Sequence, residues 1–307
     1  MKDIKVIVTS SLIAAAMLTG CADKNAENSA PKNDSSGGAD SALSELITDT
    51  DDLESKYNVN VRYMNNHTFD TPENVSSARI ELPNGKINIE HSGDNRSGYS
   101  LIYHVYGDTQ EILEEINTHI DIKSEIRDNE QIMTVVEAET GEAIDTWFNK
   151  TYPDCRIDYD AYVTVPTYVT DYKAICGVGN VEFADISGSF TADVGVGNIT
   201  LIDTEITGPS VIKCDTGNIT MNNITYKGKT DISAETGNIT FCMPLNGSDG
   251  ADISVKAETG NIEVTGIKNY DVRDEKKKDT FHSLSISVEN CNIDFAVDTG
   301  EIKIDKE

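Results

Sequence analysis

The sequence has few of the residues that several functional classes need. Basic residues are scarce: 25 Lys and Arg stand against 53 Asp and Glu, for a formal net charge of −28. Because phosphate backbones bind positive surfaces, this balance argues against nucleic acid as a partner. The chain has one tryptophan and five histidines, and no two histidines have the spacing of a helical zinc site. The composition is typical of an exported protein with an acidic, solvated surface.

Long apolar runs are also missing, and the one notable run is near the start. Val6–Met17 is too short to span a bilayer as a helix, and it follows Lys2 and Lys5. It ends in Leu18-Thr19-Gly20-Cys21, which resembles the lipobox of bacterial lipoproteins. The resemblance implies that residues 1–20 are a cleaved signal peptide and that Cys21 carries the lipid. An ordinary secretory signal is the alternative. Both alternatives place the protein outside the cytoplasm. If Cys21 carries a lipid, the expected location is the cell surface or the periplasmic face of a membrane.

Residues 21–42 have almost no large apolar side chain and are rich in Asn, Ser, Asp, Gly and Lys. Such a composition cannot offset the entropy lost on ordering. We predict a flexible tether here, anchored to the membrane through Cys21.

A Gly-Asn phrase recurs through the C-terminal half at spacings of 18, 20, 20 and 23 residues. A fixed period near 20 residues is typical of a solenoid. We interpret Cys291-Asn292-Ile293 as a degenerate sixth copy and Gly300-Glu301-Ile302 as the start of a truncated last one. The predicted corner residues are Gly179, Asn180, Gly197, Asn198, Gly217, Asn218, Gly237, Asn238, Gly260 and Asn261.

Apolar residues alternate with polar ones on both sides of each glycine. Five and three residues before the glycine, and two and four after it, the copies are apolar, as with Ile212, Cys214, Ile219 and Met221 around Gly217. Period two indicates strands with one buried face, and the change of parity at the glycine predicts a corner between two strands. The asparagines, with Asn292 as the last, should then stack into an amide ladder. We predict a right-handed parallel β-solenoid (β-helix) with coils of about 20 residues over residues 171–307.

Residues 43–170 show mixed periodicity. Asp108 is a candidate cap for a helix from Thr109 to about His119. Because the first coil of a solenoid has an open edge, we expect a mixed α/β N-terminal cap with one helix, and a separate domain is the alternative. Strands are predicted over 57–64, 78–89, 101–106, 120–126, 132–138 and 157–165.

Together these features resemble the bacterial putative-adhesin family, a β-helical domain of unknown function. The likeness runs from about Ile80 to Ile304 and includes an early copy, Asn84-Gly85-Lys86-Ile87-Asn88-Ile89, and Val163-Thr164-Val165-Pro166 before the main repeats. The family has no established catalytic residues, so none is carried over. This chain departs from the pattern by the basic insertion Arg273–Lys278 and by Cys291 in the glycine position.

Carboxylates near the corners are candidate binding groups. If neighbouring coils stack in register, these carboxylates are either solvated or hold calcium between them, and we predict no other cofactor. The carboxylates are Asp193, Asp215, Glu235, Glu258 and Glu289.

The cysteines and the basic insertion give further expectations. Cys176 and Cys214 are predicted as buried, unbridged thiols, while a bridge among Cys155, Cys242 and Cys291 is left open. The Arg273–Lys278 insertion is expected to be exposed and is the first place to look for an anionic partner.

Two functional classes follow. The first is a non-enzymatic envelope lipoprotein, an adhesin or a scaffolding or stress-sensing surface protein, whose partner is a cell surface, a wall polymer or an envelope protein. The second is a carbohydrate-active β-helix enzyme, a polysaccharide lyase or hydrolase. Such enzymes need paired carboxylates or a base beside calcium, ringed by long loops. The sequence has one sizeable insertion and only Trp147 for sugar stacking, which favours the first class.

Overall fold

The structure, a computed structural model, describes residues 57–242, 251–266, 271–278, 281–288 and 291–304. Within those residues the chain is mainly β, with two short helices. The strands form one large mixed sheet that does not close on itself in the described part. Part of the sheet is parallel and part is antiparallel.

The N-terminal part contains all six strands predicted from the alternation, several of them longer than expected. It also contains one helix that was predicted and one that was not. The elements are β1 (Val59–Asp70), β2 (Ser77–His91), β3 (Arg96–Gly107), α1 (Gln110–Thr118), β4 (Ile120–Arg127), β5 (Glu130–Glu137), α2 (Ile144–Thr151) and β6 (Arg156–Val165).

The two helices correct the prediction in detail. Helix α1 is capped by Thr109, whose Oγ1 accepts a hydrogen bond from the Ile112 amide at 3.4 Å, and Asp108 is not the cap. Helix α2 was not predicted, because eight residues give a weak helical signal. It buries Ile144 and Phe148, four residues apart on one face. Neither described helix is long and apolar enough to cross a lipid bilayer.

The C-terminal part is built from strands alone. Its elements are β7 (Asp171–Ala184), β8 (Ser187–Ile202), β9 (Glu205–Ile206), β10 (Ser210–Thr216), β11 (Ile219–Asn222), β12 (Thr225–Tyr226), β13 (Lys229–Thr236), β14 (Ile239–Cys242), β15 (Asp252–Thr259), β16 (Ile262–Thr265), β17 (Asp271–Lys278), β18 (Phe281–Val288), β19 (Cys291–Thr299) and β20 (Ile302–Ile304).

The described residues contain seven segments in which one stretch of strand leads to a bend at a glycine and a second stretch follows it. We call each of these segments a layer. Neighbouring layers pair in parallel, with Gly85 opposite Gly179 and Gly179 opposite Gly197. Strands β7 and β8 each continue through their own bend and stay paired with each other there. We had predicted two separate strands in each layer. In chain order the layers are β2, β7, β8, β10 with β11, β13 with β14, β15 with β16, and β19 with β20.

The inward side chains of the layers form continuous apolar columns. On either side of Gly217, for example, Cys214 and Ile219 are fully buried. Complete burial of one Ile or Phe side chain contributes about 1.5–3 kcal/mol, so each added layer is stabilised chiefly by these positions. The alternation read from the sequence therefore identifies the core of the layers.

The last layer corrects the predicted sixth copy. Gly300, and not Cys291, occupies the bend, because Ile302 pairs with Ile262 and Val297 pairs with Ala257. Cys291 is a buried residue at the start of β19. The predicted register failed because the hairpin of β17 and β18 is inserted between the two bends, so Gly260 and Gly300 lie two periods apart.

The edges of the parallel stack are covered at both ends. Strand β2 pairs with β5 and β6, which belong to the N-terminal part. Strand β19 pairs antiparallel with β18, and β18 with β17. Arg273–Lys278 lies within strand β17, which pairs only with β18 among the described residues.

Candidate functional site

The predicted corner glycines lie in one row along the stack. At Gly217 the backbone angle φ is +141°, in a region that residues with a side chain avoid. An ideal β-carbon there would stand 1.6 Å from the carbonyl oxygen of Gly197 in the layer before. Only a hydrogen atom fits between successive bends, which explains the recurrence of glycine.

The asparagines after the glycines form the predicted amide ladder. In each step the side-chain oxygen of one asparagine accepts the backbone N–H of the residue at the same position in the next layer. The ladder ends on Glu301, and Asn292 is not part of it, since Asn292 pairs with Asp252 and accepts from Ser287. The N···O distances are 3.0 Å for Asn180–Asn198, 3.1 Å for Asn198–Asn218, 3.0 Å for Asn218–Asn238, 2.9 Å for Asn238–Asn261 and 3.0 Å for Asn261–Glu301.

The carboxylates near the bends are interleaved with lysines. Lys213 Nζ lies 2.5 Å from Asp215 Oδ1 and 3.7 Å from Glu235 Oε1 in the next layer. Lys256 Nζ likewise lies 3.0 Å from Glu258 Oε1 and 3.7 Å from Asp298 Oδ2. Lysine thus supplies a cation between carboxylates of adjacent layers.

The membership of this carboxylate column differs from the prediction. Asp298 takes the position assigned to Glu289, which lies outside the described residues, and Asp193 lies in the column that holds Lys213. In the described parts of the chain no group of three or more His, Cys, Asp or Glu side chains is arranged to hold a metal ion.

His119 and Glu137 form a pair that the sequence did not predict. Glu137 is buried, and its carboxylate accepts hydrogen bonds from the Thr140 hydroxyl at 2.6 Å, the Thr140 amide at 2.7 Å and the Glu139 amide at 3.2 Å. His119 Nδ1 lies 2.8 Å from the same carboxylate, and its ring packs on Trp147 at 5.0 Å. These bonds, that of the Thr140 hydroxyl first, lower the pKa of Glu137 to about 2.

His119 is the half-buried residue that ends α1. The carboxylate fixes the orientation of its ring and closes the turn after β5. Among the other histidines, His67 is 3.1 Å from Asp121 and His91 is 2.9 Å from the Tyr172 hydroxyl. The described histidines therefore sit in separate local contacts.

None of the described cysteines is part of a disulfide, so no bridge joins Cys155, Cys242 and Cys291 in this structure. Cys176 and Cys214 are buried, as predicted, and burial raises the pKa of each thiol to about 11. A thiol with such a pKa stays protonated at neutral pH and is a poor nucleophile. Cys21, the signal peptide and the tether lie outside the described residues.

A cleft of about 440 Å³ lies between α2 and the bend of the first layer. We call it the α2 cleft. No sequence motif predicted it, because its walls come from five segments that are far apart in the chain. Its lining includes Tyr57, Pro83 and Asn84 of β2, Asp145 and Phe148 of α2, Arg156 and Tyr159 of β6, and Val178 of β7.

Comparisons with known proteins add little to this geometry. No family model matches the chain, and no curated protein matches it. A solved structure with some likeness is that of a putative cell adhesion protein from Clostridium sporogenes ATCC 15579, at 11% sequence identity and a TM-score of 0.27, covering 80% of this chain and 100% of that one. A likeness at that score supports no conclusion, so the resemblance to the putative-adhesin family stays a prediction.

Proposed function

We propose that the layers form a right-handed parallel β-solenoid and that the chain is a non-enzymatic envelope lipoprotein that uses this stack for adhesion or scaffolding. The observation that carries the proposal is the register of the layers. From Gly85 to Gly300 each bend lies directly on the one before it, without a slipped pair between the bends. Stacked repeats offer extended surfaces to a binding partner, which suits adhesion or scaffolding.

Short strands on a third side support the solenoid. After the second strand of a layer the chain turns again, and Glu205–Ile206 of β9 pairs in parallel with Thr225–Tyr226 of β12. Ile206 and Tyr226 point inward and are fully buried. Burial of both side chains is what a three-sided coil requires, and it supports the proposed solenoid. The right-handed sense follows the chirality of parallel crossover connections.

The outward columns support a binding role over a catalytic one. Their charged side chains are held in ion pairs such as Lys213–Asp215 and Lys86–Glu182, the latter at 2.9 Å. A surface held in one arrangement loses little entropy when a partner binds. The formal charge of −28 favours a cationic or neutral partner over nucleic acid, and a cell surface, a wall polymer or an envelope protein are the candidates.

The lipoprotein part of the proposal is supported by the sequence alone. The n-region with Lys2 and Lys5, the apolar run and Leu18-Thr19-Gly20-Cys21 have the order that lipoprotein processing needs. Metabolic labelling with an alkyne fatty acid should mark the full chain and not the Cys21→Ala variant. Cys155→Ala is the matched control and should still be labelled. Label on the Cys21→Ala variant would overturn the lipid anchor.

Adhesion is tested with the full chain on bacterial cells. Cells that carry it should bind more isolated envelope material than cells that lack it, and an excess of the purified folded chain should compete this binding away. Heat-unfolded chain is the control and should not compete. Equal binding by both kinds of cell would refute adhesion. Release of sugar from a glycan, abolished by one Asp or Glu substitution, would establish the enzyme alternative instead.

A further inference from the structure

Strand β1 is paired along one side. In the described residues its backbone pairs with β3 alone, from Val59 opposite Gly107 to Asp70 opposite Arg96. At 12 residues β1 is longer than most strands of globular proteins, which have about 3–10. The unpaired backbone N–H and C=O groups of an edge strand are a template for pairing with another chain.

Strand β1 also lacks the features that usually protect such an edge. Natural edge strands commonly carry lysine, proline or a β-bulge. The sequence of β1 contains no lysine and no proline. Its register with β3 advances one residue at a time over its whole length, so it contains no bulge. A further strand can therefore pair along β1 without a local obstacle in its sequence.

The apolar core is incomplete at β1. The inward side chains of β3, such as Leu101 and Tyr103, are at most 1% exposed, whereas Tyr63 and Phe69 of β1 are only partly buried. On the opposite face Met64 is 64% exposed, the highest value among the large apolar side chains of the described residues. A strand added beside β1 would remove apolar surface from water on both faces.

Strand β4 contacts β1 from below. Asn65 Nδ2 donates a hydrogen bond to the Ile120 carbonyl at 3.3 Å, and His67 Nε2 lies 3.1 Å from Asp121 Oδ1. Asn65 and His67 both belong to the partly buried face of β1. Because these contacts are made by side chains of that face, β4 lies against the face and does not continue the sheet beyond β1.

Charge indicates which partner suits this edge. The formal net charge of −28 makes two copies of the chain repel each other unless their contact is neutral or complementary. Strand β1 carries one basic residue, Arg62, and one acidic residue, Asp70, and both are exposed. Asp70 stays accessible beside Arg96, with 94% of its side chain exposed. Two antiparallel copies of β1 can therefore place Arg62 of each opposite Asp70 of the other.

One register gives this arrangement. Because side chains alternate between the two faces, exposed residues must lie opposite exposed residues. The register that satisfies the charges places Asn66 opposite Asn66 of the second copy. Sliding one copy by two residues puts Thr68 or Pro72 opposite Arg62 and loses both ion pairs. The cross-strand pairs of the first register are Arg62–Asp70, Met64–Thr68 and, on the partly buried face, Tyr63–Phe69.

We propose that two copies of the chain associate through β1, antiparallel about a two-fold axis at Asn66, so that their sheets join into one. Such an interface is closed, so association ends at the dimer. Backbone hydrogen bonds supply most of the contact, and the Arg62–Asp70 pairs fix its register. The dimer does not depend on the proposed adhesive function, although two stacks in one assembly would bind a multivalent surface more strongly than one.

The mass of the full chain in solution, measured by light scattering and sedimentation, should be that of a dimer that dissociates on dilution. Arg62→Asp places two carboxylates opposite each other at both ends of the contact. This variant should raise the dissociation constant about tenfold or more. Arg127→Asp makes the same change of charge at an exposed position of β4 and should leave the dimer intact.

Exchange of charge between two variants tests the register. Asp70→Arg should also weaken the dimer, because two arginines then face each other. An equal mixture of the Arg62→Asp and Asp70→Arg chains should form a heterodimer, since both ion pairs are restored with their signs reversed. Circular dichroism shows whether each variant is folded. Two folded variants that fail to associate when mixed would contradict the register.

A cysteine at the two-fold axis provides an independent measurement. Residues directly opposite each other in an antiparallel pair have Cα atoms about 4.5–5.5 Å apart, which a disulfide can span. Asn66→Cys should give a linked dimer on mild oxidation, and the wild-type chain should not. Asn60→Cys, on the same exposed face, is the matched control and should stay unlinked, because the two copies of Asn60 lie about 40 Å apart in this register.

The proposed dimer is wrong if the wild-type chain is a monomer at all concentrations, or if Asn66→Cys and Asn60→Cys cross-link equally. It is also wrong if Arg62→Asp and Arg127→Asp have equal dissociation constants. Hydrogen exchange then identifies the other occupant, since protected β1 amides in a monomer would show that another segment of the same chain covers the edge. Envelope binding by a monomeric chain would leave the adhesive function standing.

Discussion

The carbonyl oxygen of Tyr159 lies 1.6 Å from the point where an ideal β-carbon on Gly85 would stand. This close approach joins β6, which pairs antiparallel with β3, to the first of the parallel layers. Tyr63, Tyr103 and Tyr159 lie opposite one another across β1, β3 and β6, and the row continues into the bend glycines from Gly85 onward. The side chains that fill the N-terminal core thus give way to glycines where the chain bends.

Replacing a bend glycine should destabilise the whole stack. In Gly217→Ala the strain at a φ of +141° costs about 1–3 kcal/mol, and the contact with the Gly197 carbonyl adds to it. The expected result is a lower midpoint in urea unfolding. Gly93→Ala is the control, since no atom lies within 4 Å of an added β-carbon there. Similar midpoints for the two variants would show that the bends tolerate a side chain.

Removing an asparagine from the middle of the amide ladder should lower the stability of the protein. Asn218→Ala removes the acceptor of the Asn238 backbone N–H, now at 3.0 Å, and also removes the bond from its own side chain to Asn198, at 3.3 Å. A loss of about 1–3 kcal/mol in the free energy of unfolding is expected. Asn66→Ala, in the exposed face of β1, should change it little. If both variants unfold alike, the ladder does not stabilise the layers.

Glu137 should make stability depend on acid pH. Its pKa is about 2 in the folded chain, against an ordinary value of 4.5, so the folded state favours the ionised form. The stabilisation is complete above the unfolded-state pKa and is lost as the pH falls from about 4.5 through about 2. The Tm of the wild-type chain should therefore fall more steeply over this range than that of Glu137→Gln. Glu139→Gln removes an exposed charge next to it and should follow the wild-type curve.

The lysines beside the carboxylate column should stabilise the fold through their charge. In Lys213→Met, Asp215 and Glu235 lose their shared cation and repel each other across adjacent layers. The Tm should fall at low salt, and the difference from wild type should narrow at high salt because the repulsion is screened. Lys150→Met on α2 is the control and should show no such salt dependence. A fall in the Tm of the wild-type chain on adding EDTA would instead indicate calcium in the column.

The sequence predicted the regular half of the fold well because its determinants are local. Alternation of period two identifies a buried face wherever a strand forms, and a glycine bend needs only its own φ and the residue stacked on it. The phrase Asp298-Thr299-Gly300-Glu301-Ile302 matches Asp215-Thr216-Gly217-Asn218-Ile219 except at Glu301, and we predicted it as the start of a truncated last copy. The copy predicted before it, at Cys291-Asn292-Ile293, was wrong.

By itself, then, the sequence determined the strands, the inward columns and the Gly-Asn bends, since each depends on residues close in the chain. Only the tertiary structure decided which distant segments meet. It placed β17 and β18 outside the last layer, brought His119 to Glu137, and set Asn84, Asp145 and Tyr159 around one cleft. Those contacts depend on strand pairing over tens of residues, and no local pattern carries that information.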